Sequence, residues 1–183
     1  MPDFPDLSHW LPPLGPETRG PLPGFVLRHP GEADIAALGE RWMDWRETRD
    51  AFPGRAAFTH FAATSWLAES EADHRPLGFI LGFPSPTRPA EAVVAAIVVA
   101  PDQRRKGLGR ALVSAFEEQV RAGGATLATA TARPDDRPLL GFFRAVGYAP
   151  LAGPGTRPLY GIPAFPDHDG PGEDRAVLEH RLG

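Results

Sequence analysis

Arg104, Arg105, Lys106 and Arg110 crowd around Gly107 and Gly109, directly after an apolar run at 92–99. Leu108, Leu112, Val113, Phe116 and Val120 follow on one helical face. Strand, glycine turn and helix in that order build an anion cradle. The glycines withdraw side chains so that backbone N–H groups approach a phosphate, and the helix presents its positive dipole end at the same point. Two other phosphate binders fail on spacing: there is no Gly-x-x-x-x-Gly-Lys-Ser/Thr loop, and no Gly-x-Gly-x-x-Gly with an acid about 20 residues on. The net charge of −4 gives no general attraction to nucleic acid or anionic membrane, so the expected partner of the basic turn is a small anion.

Groups for proton chemistry are scattered. The run at 92–99 holds no titratable side chain, which leaves Glu69 and Glu71, His60, and Asp167, His168 and Asp169 as candidates for a general base. Each of these is equally at home as an exposed charge. With no cysteine in the chain, disulfides, thiolate metal sites and cysteine nucleophiles are excluded, and no metal is expected.

The elements that must position these groups form a mixed α/β order without internal repeats. A chain of 183 residues and 42% apolar content suits one core, read as a single domain over 25–183 behind a proline-rich arm at 1–24. That arm carries seven prolines from Pro2 to Pro23, a density that blocks helix and central strand alike. The start of the chain has no signal-peptide pattern, and no run of about 18 apolar residues occurs, so the expectation is a soluble, cytoplasmic protein. Residues 25–28 read as a strand, and Ile35, Leu38, Trp42 and Trp45 predict a helix over 32–49. Runs at 65–71 and 77–83 form a hairpin across Asp73 and Pro76, and 92–99 is expected as a strand covered on both faces. The next helix stops at Gly123 and Gly124. A strand at 126–131 and a helix capped by Asp136, with Pro138 in its first turn, follow as far as Gly147. Tyr148 opens an extended stretch, residues 151–174 show no periodicity, and 176–182 alternate as a last strand.

With these elements in place the chain resembles the GCN5-related N-acetyltransferases. Their signature, Arg/Gln-x-x-Gly-x-Gly/Ala after a long apolar strand, is matched by Arg104, Gly107 and Gly109. A second family block, Asn-x-x-Ala-x-x-Phe-Tyr-x-x-x-Gly-Phe, aligns in part with Asp136, Leu139, Phe142, Phe143, Gly147 and Tyr148. The resemblance spans about residues 25–182. It implies a mostly antiparallel central sheet flanked by helices and splayed at its central parallel strands, with acetyl-CoA as acyl donor and a primary amine of a small molecule as acceptor.

For the donor, the resemblance implies that the backbone of Ile97, Val98 and Val99 pairs with the pantetheine arm. Arg104, Arg105, Lys106, Gly107, Leu108, Gly109 and Arg110 surround the pyrophosphate, with Asp136 and Phe143 beside the cofactor. The Val99 N–H is the expected oxyanion donor. The tyrosine that protonates the leaving thiolate falls at Phe143, so its hydroxyl is missing. Tyr160 stands as a replacement acid and Glu69 as a base. With a thiol pKa near 8.5, losing the acid costs roughly 2 kcal/mol, which slows catalysis without abolishing it. Lacking an evident base, the chain is expected to favour a low-pKa amine. Two other readings stay open: a catalytically weak acyl-CoA-binding or sensing module, and a protein N-terminal acetyltransferase. The loop at 151–174 is the candidate for acceptor recognition, its acids attracting a cation and Tyr160 and Phe165 supplying an apolar wall, and the proline-rich arm offers a route to a homodimer.

Overall fold

The computed structural model describes residues 18–19, 23–45 and 52–183. Two compact units make up the chain, Met1–Ala125 and Thr126–Gly183. The fold is mixed α/β with mostly antiparallel strands flanked by helices, as expected.

In the first unit, five strands run in antiparallel sequence: β1 (Thr18–Arg19), β2 (Phe25–Arg28), β3 (Trp66–Ser70), β4 (Pro76–Pro84) and β5 (Glu91–Val99). β1 is a two-residue strand inside the segment read as an arm, and it lies at the sheet edge, where flanking prolines are tolerated. The rest of that segment, apart from Pro23 and Gly24, lies outside the described residues. The predicted hairpin of β3 and β4 is present.

α1 (Asp34–Trp45) follows the predicted spacing and buries Leu38, Trp42 and Trp45; the predicted extension to 49 lies outside the described residues. Sequence reading placed nothing at 52–64, yet α2 (Gly54–Phe61) and a 3-10 turn at Ala62–Thr64 lie there. α2 is short, has no side-chain cap and buries one large residue, Phe58, so its periodicity is too brief to register. Both helices pack onto Leu67, Phe79, Leu81 and Val98, with Phe79 between Trp42 (5.8 Å between ring centres) and Phe58 (5.4 Å). α3 (Leu108–Ala122) buries Leu108, Ala111, Leu112, Val113, Phe116 and Val120, the face its sequence announced. It is tied to the start of β3 by the Trp66 indole, which donates to Gln119 Oε1 at 2.9 Å, and to the 3-10 turn by the Gln119 amide, which donates to the Ala63 carbonyl.

The second unit holds β6 (Leu127–Ala132), α4 (Arg137–Ala145), β7 (Ala149–Pro150), β8 (Arg157–Leu159), β9 (Ile162–Ala164) and β10 (Ala176–Arg181). β10 pairs antiparallel with β6 from Ala176↔Ala132 to Arg181↔Leu127, and with β7 on its other edge. The stretch at 151–174 is more ordered than its composition suggested. β8 and β9 form a hairpin around Tyr160 and Gly161, whose φ values of 51° and 77° suit a tight two-residue turn. Each strand is three residues long and carries a proline, so period-2 alternation could not reveal it.

Candidate active site

The donor cradle grows out of the end of β5. The Ala100 N–H donates to the Leu77 carbonyl at 2.9 Å, and Val98 pairs with Phe79 two residues back. In an antiparallel ladder the backbone groups alternate in direction. Val98 is therefore committed to β4, whereas the N–H and C=O of Ile97 and Val99 point away from it. The expectation that all three residues pair with a ligand narrows to Ile97 and Val99. β5 also carries a bulge: Leu81 pairs with Ala96 and Gly82 with Val94, which leaves Ala95 as an extra, exposed residue. A bulge re-aims the backbone that follows it. β5 meets helices on both faces, as its apolar run implies: before the bulge Val94 pairs with Gly82, on the face that meets Phe116 of α3, and after it Ala96 and Val98 join the core under α1 and α2. The uniformly apolar run at 92–99 carried no signal of the bulge.

Beyond β5, Pro101–Gln103 makes a 3-10 turn, and the chain then swings through left-handed conformations at Arg105 (φ 63°) and Gly107 (φ 88°). Gly107 is the N-cap of α3 and offers no side-chain cap. The first intrahelical bond runs from the Ala111 N–H to the Gly107 carbonyl at 3.0 Å. The N–H groups of Leu108, Gly109 and Arg110 precede it, and the first turn of a helix is where an anion is stabilised. Arg105, Lys106 and Arg110 are exposed around this end.

Arg104 behaves differently from the other three cations. Its guanidinium donates to the Val99 carbonyl at 3.1 Å through Nε and to the Trp45 carbonyl at the end of α1. It ties β5 to α1 and occupies the outward carbonyl of Val99.

Glu69 lies in β3 opposite Val26 and is 7% exposed. One carboxylate oxygen accepts from Arg28 Nε at 2.8 Å and the other lies 2.7 Å from His74 Nδ1. Arg28 also grips Asp34 at the start of α1 with two bonds of 2.7 and 2.9 Å. Burial opposes ionisation of Asp34, but the hydrogen bonds from Arg28 and the Gly31 N–H outweigh it and hold the carboxyl below its ordinary value of 3.8. Asp34 and then Glu69 raise the Arg28 guanidinium above its ordinary value in turn. Asp34 therefore contributes stability that is fully present above pH 3.8 and is lost as pH falls through its lower folded value. Asp34→Asn is expected to cost about 1–2 kcal/mol at neutral pH after screening. Urea titrations across the acid range check it: the gap between the two proteins should be flat above about pH 5 and close below pH 4.

In the second unit, Asp136 caps α4 as predicted, accepting from the Leu139 N–H at 3.0 Å. Phe143 is 2% exposed and packs on Tyr148 (5.0 Å between ring centres), which fills the core. Tyr160 stands 64% exposed at the hairpin tip, where its backbone carbonyl accepts from Arg137. The acids of the late loop serve the loop itself. Asp169 and Glu173 pair with Arg175 at 2.8 and 3.2 Å, Asp167 accepts from the Gly172 N–H at 2.6 Å, and Asp174 accepts from the Asp167 N–H at 2.9 Å. His168 Nδ1 lies 2.7 Å from Asp169. Asp169 and Glu173 thus share one cation, Arg175, while Asp167 and Asp174 hold loop N–H groups, so the loop keeps a net negative charge. No group of three metal-ligating side chains occurs among the described residues, and no helix there is long and apolar enough to cross a membrane.

A glycine-started helix without a side-chain cap, preceded by a strand with backbone groups turned away from β4, is a frame suited to an extended, phosphate-bearing ligand. The chain belongs to the acetyltransferase (GNAT) family, whose model matches residues 35–148, and it is an acetyltransferase enzyme. It is 29% identical over 148 residues to the L-2,4-diaminobutyric acid acetyltransferase of Nocardia farcinica, covering 80% of this chain and 76% of that one. Among solved structures, Ard1 from Thermoplasma volcanium matches 87% of this chain and 99% of its own at 16% identity, with a TM-score of 0.68. The diaminobutyrate acetyltransferase EctA from Paenibacillus lautus, solved with L-2,4-diaminobutyric acid and coenzyme A, matches 87% of this chain and 96% of its own at 22% identity, with a TM-score of 0.61. At these identities the two structures speak for the fold.

Proposed function

We propose that the protein transfers the acetyl group of acetyl-CoA to a primary amine of a small molecule, and that residues 25–183 act as one catalytic domain. The observation that carries the donor assignment is the uncapped start of α3 at Gly107. The N–H groups of Leu108, Gly109 and Arg110, with Arg105 and Lys106, hold the pyrophosphate, and the outward N–H and C=O of Ile97, with the Val99 N–H at the thioester end, hold the pantetheine arm. The amine attacks the thioester carbonyl, the Val99 N–H stabilises the oxyanion, and collapse of the tetrahedral intermediate breaks the C–S bond. The thiolate leaves without help from position 143, where a buried phenyl ring stands in place of a phenol. Its proton comes from the amine by way of water, Tyr160 or another group. The acceptor assignment is supported by the Nocardia relative, and the same reading makes L-2,4-diaminobutyric acid the first acceptor to test. Cytoplasmic location, independence from nucleic acid and membrane, and a homodimer are part of the proposal, in keeping with the net charge and the absence of cysteine.

Thiol release from acetyl-CoA across a panel of amines tests it. The panel comprises L-2,4-diaminobutyric acid, an α-amino amide, an aliphatic diamine, an aminoglycoside and a peptide with a free N-terminus. The expected result is the highest kcat/KM on a small amine, with the peptide last. Tight acetyl-CoA binding without release on any amine would establish the sensing module instead. A preference for the peptide would establish N-terminal acetylation. A preference for the aliphatic diamine over the α-amine would reject the low-pKa acceptor, and would require a base that deprotonates an amine about 4.6 kcal/mol uphill at pH 7.

A further inference from the structure

A pocket of about 180 Å³ in the second unit takes no part in the chemistry described above. Its floor is apolar, made by Leu140, Tyr148 and Leu178, and Pro150 and Ile162 close one side. On α4, Arg137, Gly141 and Arg144 line the pocket at spacings of four and three, which stacks them along one helix face. No acid lines it, in a chain whose net charge is −4.

Arg137 is held at one end by the Tyr160 carbonyl. Arg144 is exposed, and no described carboxylate pairs with it. Between them, a Cβ added at Gly141 would meet nothing within 4 Å, so packing does not call for glycine at a mid-helix position where alanine is the better helix former. The bare backbone keeps the mouth open between the two guanidinium groups. An apolar cavity of about 150 Å³ accommodates benzene, so this pocket has room for one ring or a branched aliphatic body. A guanidinium fork at its rim matches a carboxylate.

We propose that this pocket binds a small carboxylate with an apolar body, seated on Leu140 and Leu178 and paired with Arg144. The proposal is independent of acetyl transfer, because binding is read without acetyl-CoA. Calorimetric titration of the full chain with benzoate, benzyl alcohol and inorganic phosphate tests it. The expected result is saturable one-to-one binding of benzoate, about ten-fold tighter than either other probe. Arg144→Gln weakens it about ten-fold, Gly141→Leu abolishes it, and both variants keep wild-type melting and acetyl-CoA affinity. Absence of saturable benzoate binding overturns the site. Equal binding of benzyl alcohol or phosphate, or indifference to either substitution, overturns it as well. Dimerisation that Arg144→Gln abolishes, with no benzoate bound, replaces it with a subunit contact.

Discussion

Gly107→Glu abolishes acetyl-CoA binding, with affinity falling at least 100-fold by calorimetry while the protein stays folded. Three effects act together. Position 107 sits at φ 88°, a conformation that costs an L-residue roughly 1–2 kcal/mol. The new side chain projects from the N-cap of α3, where the amides of Leu108, Gly109 and Arg110 must reach an anion. Its carboxylate competes for those amides and repels the pyrophosphate. Each charge-assisted hydrogen bond contributes about 1.5–3 kcal/mol, so losing two of them removes two to four orders of magnitude in affinity. Gly107→Asn is the control. Asparagine tolerates the left-handed region and brings no charge, so affinity should stay within about ten-fold of wild type. Unchanged binding by the glutamate variant would remove the donor assignment altogether.

The second large effect is on stability. A Cβ at Gly82 would lie 2.4 Å from Cε2 and 2.7 Å from Cζ of Phe116, and 2.8 Å from the Val93 carbonyl oxygen. Phe116 is fully buried and has nowhere to retreat. The strand is equally fixed, since the Gly82 carbonyl accepts from Thr64 Oγ1 at 2.6 Å and its N–H donates to Ser65 Oγ at 3.2 Å. Gly82→Ala is expected to destabilise the fold by about 3 kcal/mol, lowering Tm by roughly 6–12 °C. Adding Phe116→Leu relieves the ring contact and leaves the clash with Val93, so the double variant should recover only part of the loss relative to Phe116→Leu alone. Thermal and urea unfolding check both values. A loss below about 0.5 kcal/mol would mean that β4 shifts freely at the bulge, against its two anchoring hydrogen bonds.

These two glycines mark how far the sequence could be read. Gly107 announced itself, because its neighbours in the chain are the basic residues and the helix that it serves. Gly82 sits in the run Leu77–Phe83 like any strand residue, and only the packing of α3 across β4 shows why nothing larger fits there. The same division holds for the charges. Arg105, Lys106 and Arg110 lie where their sequence neighbours implied, but Arg104 turns back to Val99 and Trp45, and the latter contact joins residues 59 apart in the chain. Glu69 looked like a free base and is instead engaged by Arg28 and His74. The acids at 167–174 looked like a cation trap and also brace their own loop, Asp169 and Glu173 through Arg175 and Asp167 and Asp174 through backbone N–H groups.

Local order was therefore legible in the sequence alone: the strands at 25–28 and 92–99, the helix face of α3, the Asp136 cap and the glycine turn all depend on residues within a few positions of one another. The tertiary structure decided what depends on distant partners: which backbone groups of β5 point away from β4, where the bulge at Ala95 falls, that three-residue strands pair into the β8–β9 hairpin, and which charges are already paired. Period and spacing encode local conformation. Hydrogen-bond partners and excluded volume are settled only when remote segments meet.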